Sequence, residues 1–144
     1  ARGSGLEGDT RLDRPYAAYD RVDVALQIQR AGDAMARTRV RIGEIENSFA
    51  IIREAAEDLP EGPLIQSWSA VPAGARAMGW AETPQGEVIY MVRLVEDGRL
   101  ARCAMRSPSF CNWSFYERTM PRNVLTDVGF IEHSFALSQA GCDG

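Results

Sequence analysis

The sequence predicts an α+β fold, in which a long helix and a C-terminal helix pack with a small three-stranded antiparallel sheet. Changes in the spacing of apolar residues predict these elements in turn. Apolar residues recur at intervals of three and four over residues 34–59, and at intervals of two over residues 75–106. A second three-and-four pattern covers residues 124–137. At 144 residues, the chain has the length of one domain.

The long helix is predicted to begin after the N-cap candidate Asp33 and to end before Pro60, over about 26 residues. Six apolar residues fall on one stripe of this helix, which we expect to be core: Ile42, Ile45, Phe49, Ile52, Ala56 and Leu59. Arg37, Arg41 and Glu44 follow the same spacing on a polar flank. Such residues form weak ion pairs on helix surfaces.

The sheet is predicted as a meander of strands over residues 75–83, 87–95 and 100–106. Pro84-Gln85-Gly86 forms the first turn, and Asp97-Gly98 has the composition of a two-residue hairpin turn. Cys103 falls on the apolar face of the third strand, which predicts a small core residue.

The remaining segments give weaker predictions. Residues 1–20 are glycine-rich and charged, which indicates an irregular lead-in that lies on a partner or on the rest of the domain, and residues 22–26 are predicted as a short extended piece. We expect Pro108 to end the sheet. A short helix over 112–120 and a last helix over 124–137 are predicted to follow it. The expected buried side of that last helix comprises Val124, Leu125, Val128, Ile131 and Phe135.

Composition excludes several classes of protein. The net charge of −4 argues against a broad nucleic-acid-binding surface, and no apolar run approaches the ~20 residues of a membrane span. Three cysteines without a CxxC pair predict reduced thiols. The single histidine, His133, is expected to be solvated or to cap the last helix, and no common nucleotide-binding or catalytic motif is present.

Two proline-containing loops are predicted to meet at one corner of the sheet. The turn over 83–87 lies at the end of the sheet where the third strand finishes, so Gln85, Arg106 and Ser109 share that corner. From spacing alone, two tight turns with hydrogen-bonded polar groups explain these residues as well as a binding site does.

Five motifs in order resemble one family over nearly the whole chain. They are RGSGxExDxR followed by PY and YD (2–20), GDxxxRxxxRxxE (32–44), LPEGP (59–63), ExPxGE (82–87) and RxPSFxN (106–112). The family is the large subunit shared by respiratory complex I (NADH:quinone oxidoreductase) and the membrane-bound nickel–iron hydrogenases, including formate hydrogenlyase and hydrogenase-4. The resemblance implies that residues 1–144 form a single domain from the C-terminal portion of such a subunit.

The resemblance implies a peripheral position on the cytoplasmic side of the inner membrane, beside an iron–sulfur small subunit and other subunits. In the hydrogenases two CxxC pairs hold the nickel–iron centre, whereas in complex I the vacated region forms part of the quinone pocket. Here the ligand positions of the second pair align with Ser138 and Gly141, and Cys142 is one residue out of register. Gln85 stands where the hydrogenases have an arginine near the metal. The chain therefore resembles a subunit that has lost the metal.

The resemblance implies electron transfer toward quinone within a multisubunit oxidoreductase, and we expect the isolated chain to be inactive. Gln85, Arg106, Ser109 and Asp143 are the candidates for lining the former metal or quinone cavity, as orienting groups and not as catalysts. No metal or other cofactor is expected in this chain, with quinone as the candidate ligand of the full complex and iron–sulfur clusters in neighbouring subunits. Two alternatives remain open: a true nickel–iron hydrogenase large subunit with unusual ligands, and a scaffold that only supports its neighbours. A one-residue shift of the alignment would make Cys142 a ligand.

Overall fold

The computed structural model describes residues 1–63, 65, 67 and 71–142 and confirms the α+β fold. The α-helices are α1 (Thr10–Asp13), α2 (Ala34–Glu57), α3 (Pro108–Thr119) and α4 (Val128–Phe135). The strands are β1 (Arg76–Thr83), β2 (Gly86–Leu94) and β3 (Leu100–Arg106). Short 3₁₀ turns cover Arg2–Ser4 and Leu125–Asp127. None of the helices in the described residues is long and apolar enough to cross a membrane.

The sheet matches the predicted meander, with antiparallel strands in the order β1-β2-β3. Thr83 pairs with Gly86 across the first turn, where Gly86 has a φ of 133° that favours glycine. The second connection is longer than the predicted two-residue turn. It spans residues 95–99, because an irregularity beside Leu94 ends the regular register early, and the Val95 amide then donates to the Arg99 carbonyl.

Helix α2 forms as predicted, but the prediction that its apolar stripe is core was wrong. Asp33 caps the helix by accepting from the Ala36 amide at 2.7 Å. The buried residues of α2 are Ala36, Val40 and Asn47. Four large members of the stripe are instead 53–64% exposed: Ile42, Ile45, Phe49 and Ile52. The N-terminal segment and α4 pack on the other side of the helix, which leaves the stripe uncovered by the described residues.

Helix α3 begins earlier than predicted, because Pro108 starts the helix as well as ending the sheet. Ser107 provides the N-cap, accepting from the Phe110 amide at 3.2 Å, and proline at the first helical position lacks the amide that would go unpaired there. Helix α4 is shorter than predicted. It ends at Phe135, because Ala136 adopts a left-handed conformation with a φ of 50°.

Several expected core residues lie at the surface. Val124 and Leu125 precede α4 and are exposed, so the buried side of that helix reduces mainly to Ile131. Cys103 is exposed, because the first four residues of β3 are exposed on both faces of the strand. His133 is exposed, as predicted.

The N-terminal segment packs closely on the rest of the domain. The Gly32 amide donates to the Gly3 carbonyl, and the Gln29 amide donates to the Arg2 carbonyl, so the segment before α2 lies along the first turn of the chain. Residues 22–26 belong to no helix or strand, and Val24 is buried there. The buried apolar residues of the described chain are Val24, Ala36, Val40 and Ile131.

Candidate functional site

The most buried polar group of the described chain is a set of five charged side chains brought together from four parts of the sequence. We call it the arginine–carboxylate cluster, and it comprises Arg2, Asp9, Arg11, Glu44 and Glu82. Asp9 lies at the centre, with its side chain 0% exposed. Arg2 donates to it at 2.7 Å and Arg11 donates to it at 2.6 Å. Each guanidinium therefore faces a carboxylate in the charge-assisted geometry that compensates for burial.

Local structure explains how these residues meet. Asp9 caps the short helix α1, accepting from the Arg11 amide at 3.0 Å, which turns the Arg11 side chain back onto the same carboxylate. Glu44 enters from α2 and accepts from Arg2 at 2.9 Å and from Arg11 at 2.7 Å. Glu82, at the end of β1, accepts from Arg2 at 2.9 Å. The cluster thereby fastens the N-terminal segment to both α2 and the sheet.

The electrostatics of Asp9 are a balance of opposing effects. Burial is the largest single influence and disfavours the charged form, but the hydrogen bonds from Arg11 and the positive charges of Arg11 and Arg2 together outweigh it. The pKa of Asp9 consequently lies below its ordinary value. The hydrogen bond to Asp9 in turn raises the pKa of Arg11 above its ordinary value. Both groups are therefore charged at neutral pH.

A cleft of about 340 Å³ opens beside this cluster, between the first turn of the sheet and α4. Arg37 and Phe135 form one wall, and Gln85 and Asn112 contribute to the other. Arg37 donates to Ser134 Oγ at 2.8 Å and lies 4.1 Å from the centroid of the Phe135 ring. Burial lowers the pKa of Arg37 below its ordinary value. The cleft thus combines the Phe135 ring with hydrogen-bond donors such as Arg37 and with carboxylates such as Glu82 and Glu87.

The C-terminal turn (residues 138–142) lies against the start of α3. Ser109 Oγ accepts from the Ser138 amide at 3.1 Å, and Ser107 donates to the Gly141 carbonyl. A Cβ atom at Gly141 would lie 3.3 Å from Ser107 Oγ, which leaves little room for a side chain there. Two serines of α3 and its cap therefore hold the turn in place.

The thiol of Cys142 is engaged by its neighbours. It accepts from Trp113 Nε1 at 2.8 Å and lies 3.5 Å from the carbonyl oxygen of Ser138. Within residues 1–63, 65, 67 and 71–142, no three side chains of His, Cys, Asp or Glu are grouped so as to hold a metal ion. The donor set around the turn consists of hydroxyls, carbonyls and one thiol, whereas nickel–iron centres need several soft thiolates.

The structure brings some of the sequence-predicted residues together. Gln85 Nε2 donates to the Ala136 carbonyl at 3.4 Å, at the cleft, and Ser109 lies beneath the C-terminal turn. Arg106 does not line the cleft, but it donates at 2.8 Å to Glu87, which does. Asp143 lies outside the described residues. Their roles as ligand-orienting groups stay predictions.

Sequence reasoning missed other parts of the site. Arg37 and Glu44 were expected to form weak surface pairs, but one faces the cleft and the other belongs to the arginine–carboxylate cluster. Arg41 donates to the His133 carbonyl at 3.2 Å instead of pairing with Glu44. The Ser107-Pro108 pair carried a signal for a helix cap that would have moved the start of α3 to its true position.

Comparison with known proteins assigns this chain to a family. The model of the family described as "Respiratory-chain NADH dehydrogenase, 49 Kd subunit" matches residues 1–73 and 64–143. The chain belongs to this family. The resemblance seen in the sequence motifs is thereby confirmed.

Relatives of the chain include both quinone oxidoreductase and hydrogenase subunits. A carbon monoxide-induced hydrogenase of Rhodospirillum rubrum is 35% identical over 93% of this chain and 37% of the relative. A subunit of the NADH-quinone oxidoreductase of Akkermansia muciniphila is 30% identical over 99% of this chain and 41% of the relative. A component of hydrogenase-4 of Escherichia coli is 29% identical over 85% of this chain and 22% of the relative.

A solved structure has the same fold. A chain of the membrane-bound sulfane sulfur reductase, an archaeal respiratory membrane complex, superposes with a TM-score of 0.84 at 25% identity. The match covers 99% of this chain and 41% of that chain. The 144 residues therefore span 22–41% of the lengths of these relatives.

Proposed function

We propose that the chain is part of the large subunit of a membrane-associated oxidoreductase of the complex I and hydrogenase-4 type, in which the nickel–iron site is lost and electrons pass toward quinone. The observation that carries this proposal is the packing of Gly141. The Cβ of a cysteine there would lie 3.3 Å from Ser107 Oγ, so Ser107, whose hydroxyl already donates to the Gly141 carbonyl, would have to shift to admit it. This position is one of the two that the sequence motifs align with the second ligand pair of the hydrogenases.

The residues of the C-terminal turn do not fit a nickel–iron group. Ser138 offers a hard hydroxyl oxygen, Gly141 offers no side chain, and the Cys142 thiol already accepts from the Trp113 indole. A soft metal centre with bridging thiolates needs more sulfur donors than this turn supplies. An arginine at position 85 would also lack the anionic cluster that stabilises it in the hydrogenases, whereas the neutral Gln85 carries no such cost.

The cleft supports quinone as the ligand in place of the metal. Its volume of about 340 Å³ falls in the range of small-molecule sites, and its walls combine the Phe135 ring with the amide of Gln85. Quinones present a flat apolar ring and two carbonyl acceptors, which suit an aromatic wall and N–H donors. In this proposal Gln85 orients a quinone carbonyl, Ser109 supports the neighbouring turn, and electrons arrive from iron–sulfur clusters in an adjacent small subunit.

The proposed location is the cytoplasmic side of the membrane, peripheral and held by other subunits. Association with a membrane complex is supported by the solved structure that shares the fold, which is a chain of a respiratory membrane complex. It is also supported by the relatives named as quinone oxidoreductase and hydrogenase subunits. The proposed activity, electron acceptor and partners are those of the whole assembly. This chain is proposed to be one part of its large subunit.

Elemental analysis tests the loss of the metal. The sample is the full-length subunit purified inside its native complex, and nickel and iron are measured per subunit. We expect iron from neighbouring clusters without stoichiometric nickel. Roughly one nickel per subunit would overturn the proposal and identify a genuine nickel–iron hydrogenase.

Quinone reduction by the same complex tests the cleft. Replacing Gln85 with alanine removes one orienting donor, and we expect about a tenfold lower turnover with normal assembly, equivalent to about 1.4 kcal/mol. Gln139→Ala is the matched control, because Gln139 is exposed. Unchanged turnover in Gln85→Ala would favour the scaffold alternative.

A further inference from the structure

Three arginines lie side by side across the sheet. Arg76 of β1 is directly opposite Arg93 of β2, and Arg93 is directly opposite Arg102 of β3. Side chains that are directly opposite in antiparallel strands share one face of the sheet, with Cβ atoms about 4.5–5.5 Å apart. All three residues are exposed, and we call them the arginine row. Like charges in this arrangement destabilise a sheet, so the row calls for an explanation outside the fold.

The arginine row differs from its neighbours in having no carboxylate partner among the described residues. Arg106 pairs with Glu87 at 2.8 Å, and Arg99 pairs with Asp97 at 2.5 Å. In the part of the chain that the structure describes, no Asp or Glu forms an ion pair with a member of the row. The row therefore presents three positive charges on a chain whose net charge is −4.

The positions next to the row on the same face are apolar. Met78 lies opposite Met91, and these residues are 58% and 53% exposed. Farther along this face the N-terminal segment packs on the sheet, where Trp80 Nε1 donates to the Arg14 carbonyl at 3.3 Å. The face is thus covered at one end and presents methionines beside arginines at the other. Both residue types are enriched in protein–protein interfaces.

We propose that the arginine row and the two methionines bind an acidic helix of a neighbouring subunit, whose carboxylates each pair with one guanidinium. Guanidinium and carboxylate groups form charge-assisted, bidentate hydrogen bonds. Neighbouring strands lie about 4.8 Å apart, so the row spans roughly 10 Å from Arg76 to Arg102. Carboxylates at positions i, i+4 and i+7 of a helix span about 10.5 Å. A helix that crosses the strands therefore matches the spacing of the row.

Charge argues against other occupants of this face. The same face of a second copy would bring two arginine rows together, which is repulsive, so the row does not suit a symmetric contact. An anionic membrane surface would attract the row but repel a chain with a net charge of −4. A locally acidic helix avoids that repulsion, because it contacts only the row and its methionines. The proposal rests on the proposed function only in requiring a multisubunit assembly, and it needs neither quinone nor the loss of nickel.

Zero-length crosslinking in the native complex, with the full-length subunit, identifies the partner. The 144 residues contain no lysine, so Arg93→Lys keeps the charge of the row and adds one primary amine. A carbodiimide joins an amine to a carboxylate that is in direct contact with it, and mass spectrometry of the linked peptides names both residues. Arg118→Lys is the matched control, because Arg118 is exposed on α3, away from the sheet.

We expect position 93 to link to an Asp or Glu of another subunit with a yield roughly tenfold above position 118. Arg76→Lys and Arg102→Lys should link to carboxylates three or four residues to either side in the same segment. Linkage within the large subunit itself, links scattered over several segments, or yields equal to the control would overturn the proposal. These outcomes leave nickel content and quinone turnover unchanged, so the proposal can fail while the proposed function holds.

Charge reversal gives a second measurement. Arg93→Glu places a carboxylate between Arg76 and Arg102, which stabilises the sheet but repels an acidic partner. We expect the full-length subunit to leave the complex at a salt concentration lower by about twofold or more, with no loss of thermal stability of the free subunit. Arg118→Glu should dissociate at the same salt concentration as the wild type. Unchanged dissociation of Arg93→Glu would contradict an acidic partner at the row.

Discussion

The two faces of α2 differ in a way that reverses the usual distribution of residues. Its inner face contributes Glu44 to the arginine–carboxylate cluster, where Asp9 is 2% exposed, whereas its outer face leaves Phe49 63% exposed. Ion pairs are directional and hold their partners in one geometry, but apolar contacts are not directional and need only a complementary surface. The inner face therefore fixes the N-terminal segment beside the cleft, and the outer face is left uncovered by the described residues.

The largest effect should come from the centre of the cluster. Asp9→Asn keeps the shape of the side chain but leaves Arg2 and Arg11 buried with less opposing charge. Breaking a buried ion pair in this way destabilises by about 3–5 kcal/mol. We expect a loss of this size in the free energy of local opening of α1, measured by amide hydrogen exchange in the full-length subunit.

The control for this variant is an ion pair at the surface. Asp97→Asn breaks the pair with Arg99, whose side chain is 82% exposed. Solvent-exposed pairs contribute about 0–1 kcal/mol, so little change is expected. An effect of Asp9→Asn as small as that of Asp97→Asn would show that the cluster does not fasten the N-terminal segment.

Lowering the pH should selectively weaken the arginine–carboxylate cluster on the inner face of α2. Because the pKa of Asp9 is lowered on folding, its stabilising effect is complete above the pKa of an unfolded aspartate, about 3.9, and is lost as the pH falls through the lower folded value. The difference in stability between the wild type and Asp9→Asn should therefore shrink below about pH 4. Urea unfolding of the full-length subunit, followed by tryptophan fluorescence at pH 7, 4 and 3, measures it. A difference that stays constant down to pH 3 would contradict the lowered pKa.

A smaller effect is expected at the C-terminal turn. Gly141→Ala adds a methyl group 3.3 Å from Ser107 Oγ and 3.4 Å from the Ser138 carbonyl oxygen, and overpacking of this kind costs about 1–3 kcal/mol. Gly129→Ala is the matched control in α4, because its added methyl would meet no atom within 4 Å. That change should stabilise the helix by about 0.5–1 kcal/mol. Thermal unfolding of both variants measures the contrast, and equal effects would show that the turn has room for a side chain.

The strands of the sheet could be predicted from the sequence, but the contacts on the inner face of α2 could not, for a physical reason. Alternation along one strand and a proline–glycine turn are local signals, so β1 to β3 fall close to their predicted bounds. The contact between Arg2 and Glu82 joins residues far apart in the chain, so it cannot be predicted from the sequence around either residue. Periodicity also located α2 but could not tell which of its faces the described residues cover. The family motifs singled out Gln85, which lies at the cleft, but they could not show its contacts.

The smallest effect should come from an exposed apolar residue that lies outside the apolar stripe of α2. Leu125 is 88% exposed, more than any of the four large stripe residues Ile42, Ile45, Phe49 and Ile52, but it is an isolated residue before α4. Leu125→Asp should therefore change the stability of the full-length subunit by less than about 0.5 kcal/mol, as is usual for surface substitutions. Urea unfolding beside Ile45→Asp measures the difference. If both variants lost the same stability, exposure alone would explain the effect, and the contiguous apolar stripe of α2 would behave no differently from an isolated exposed residue.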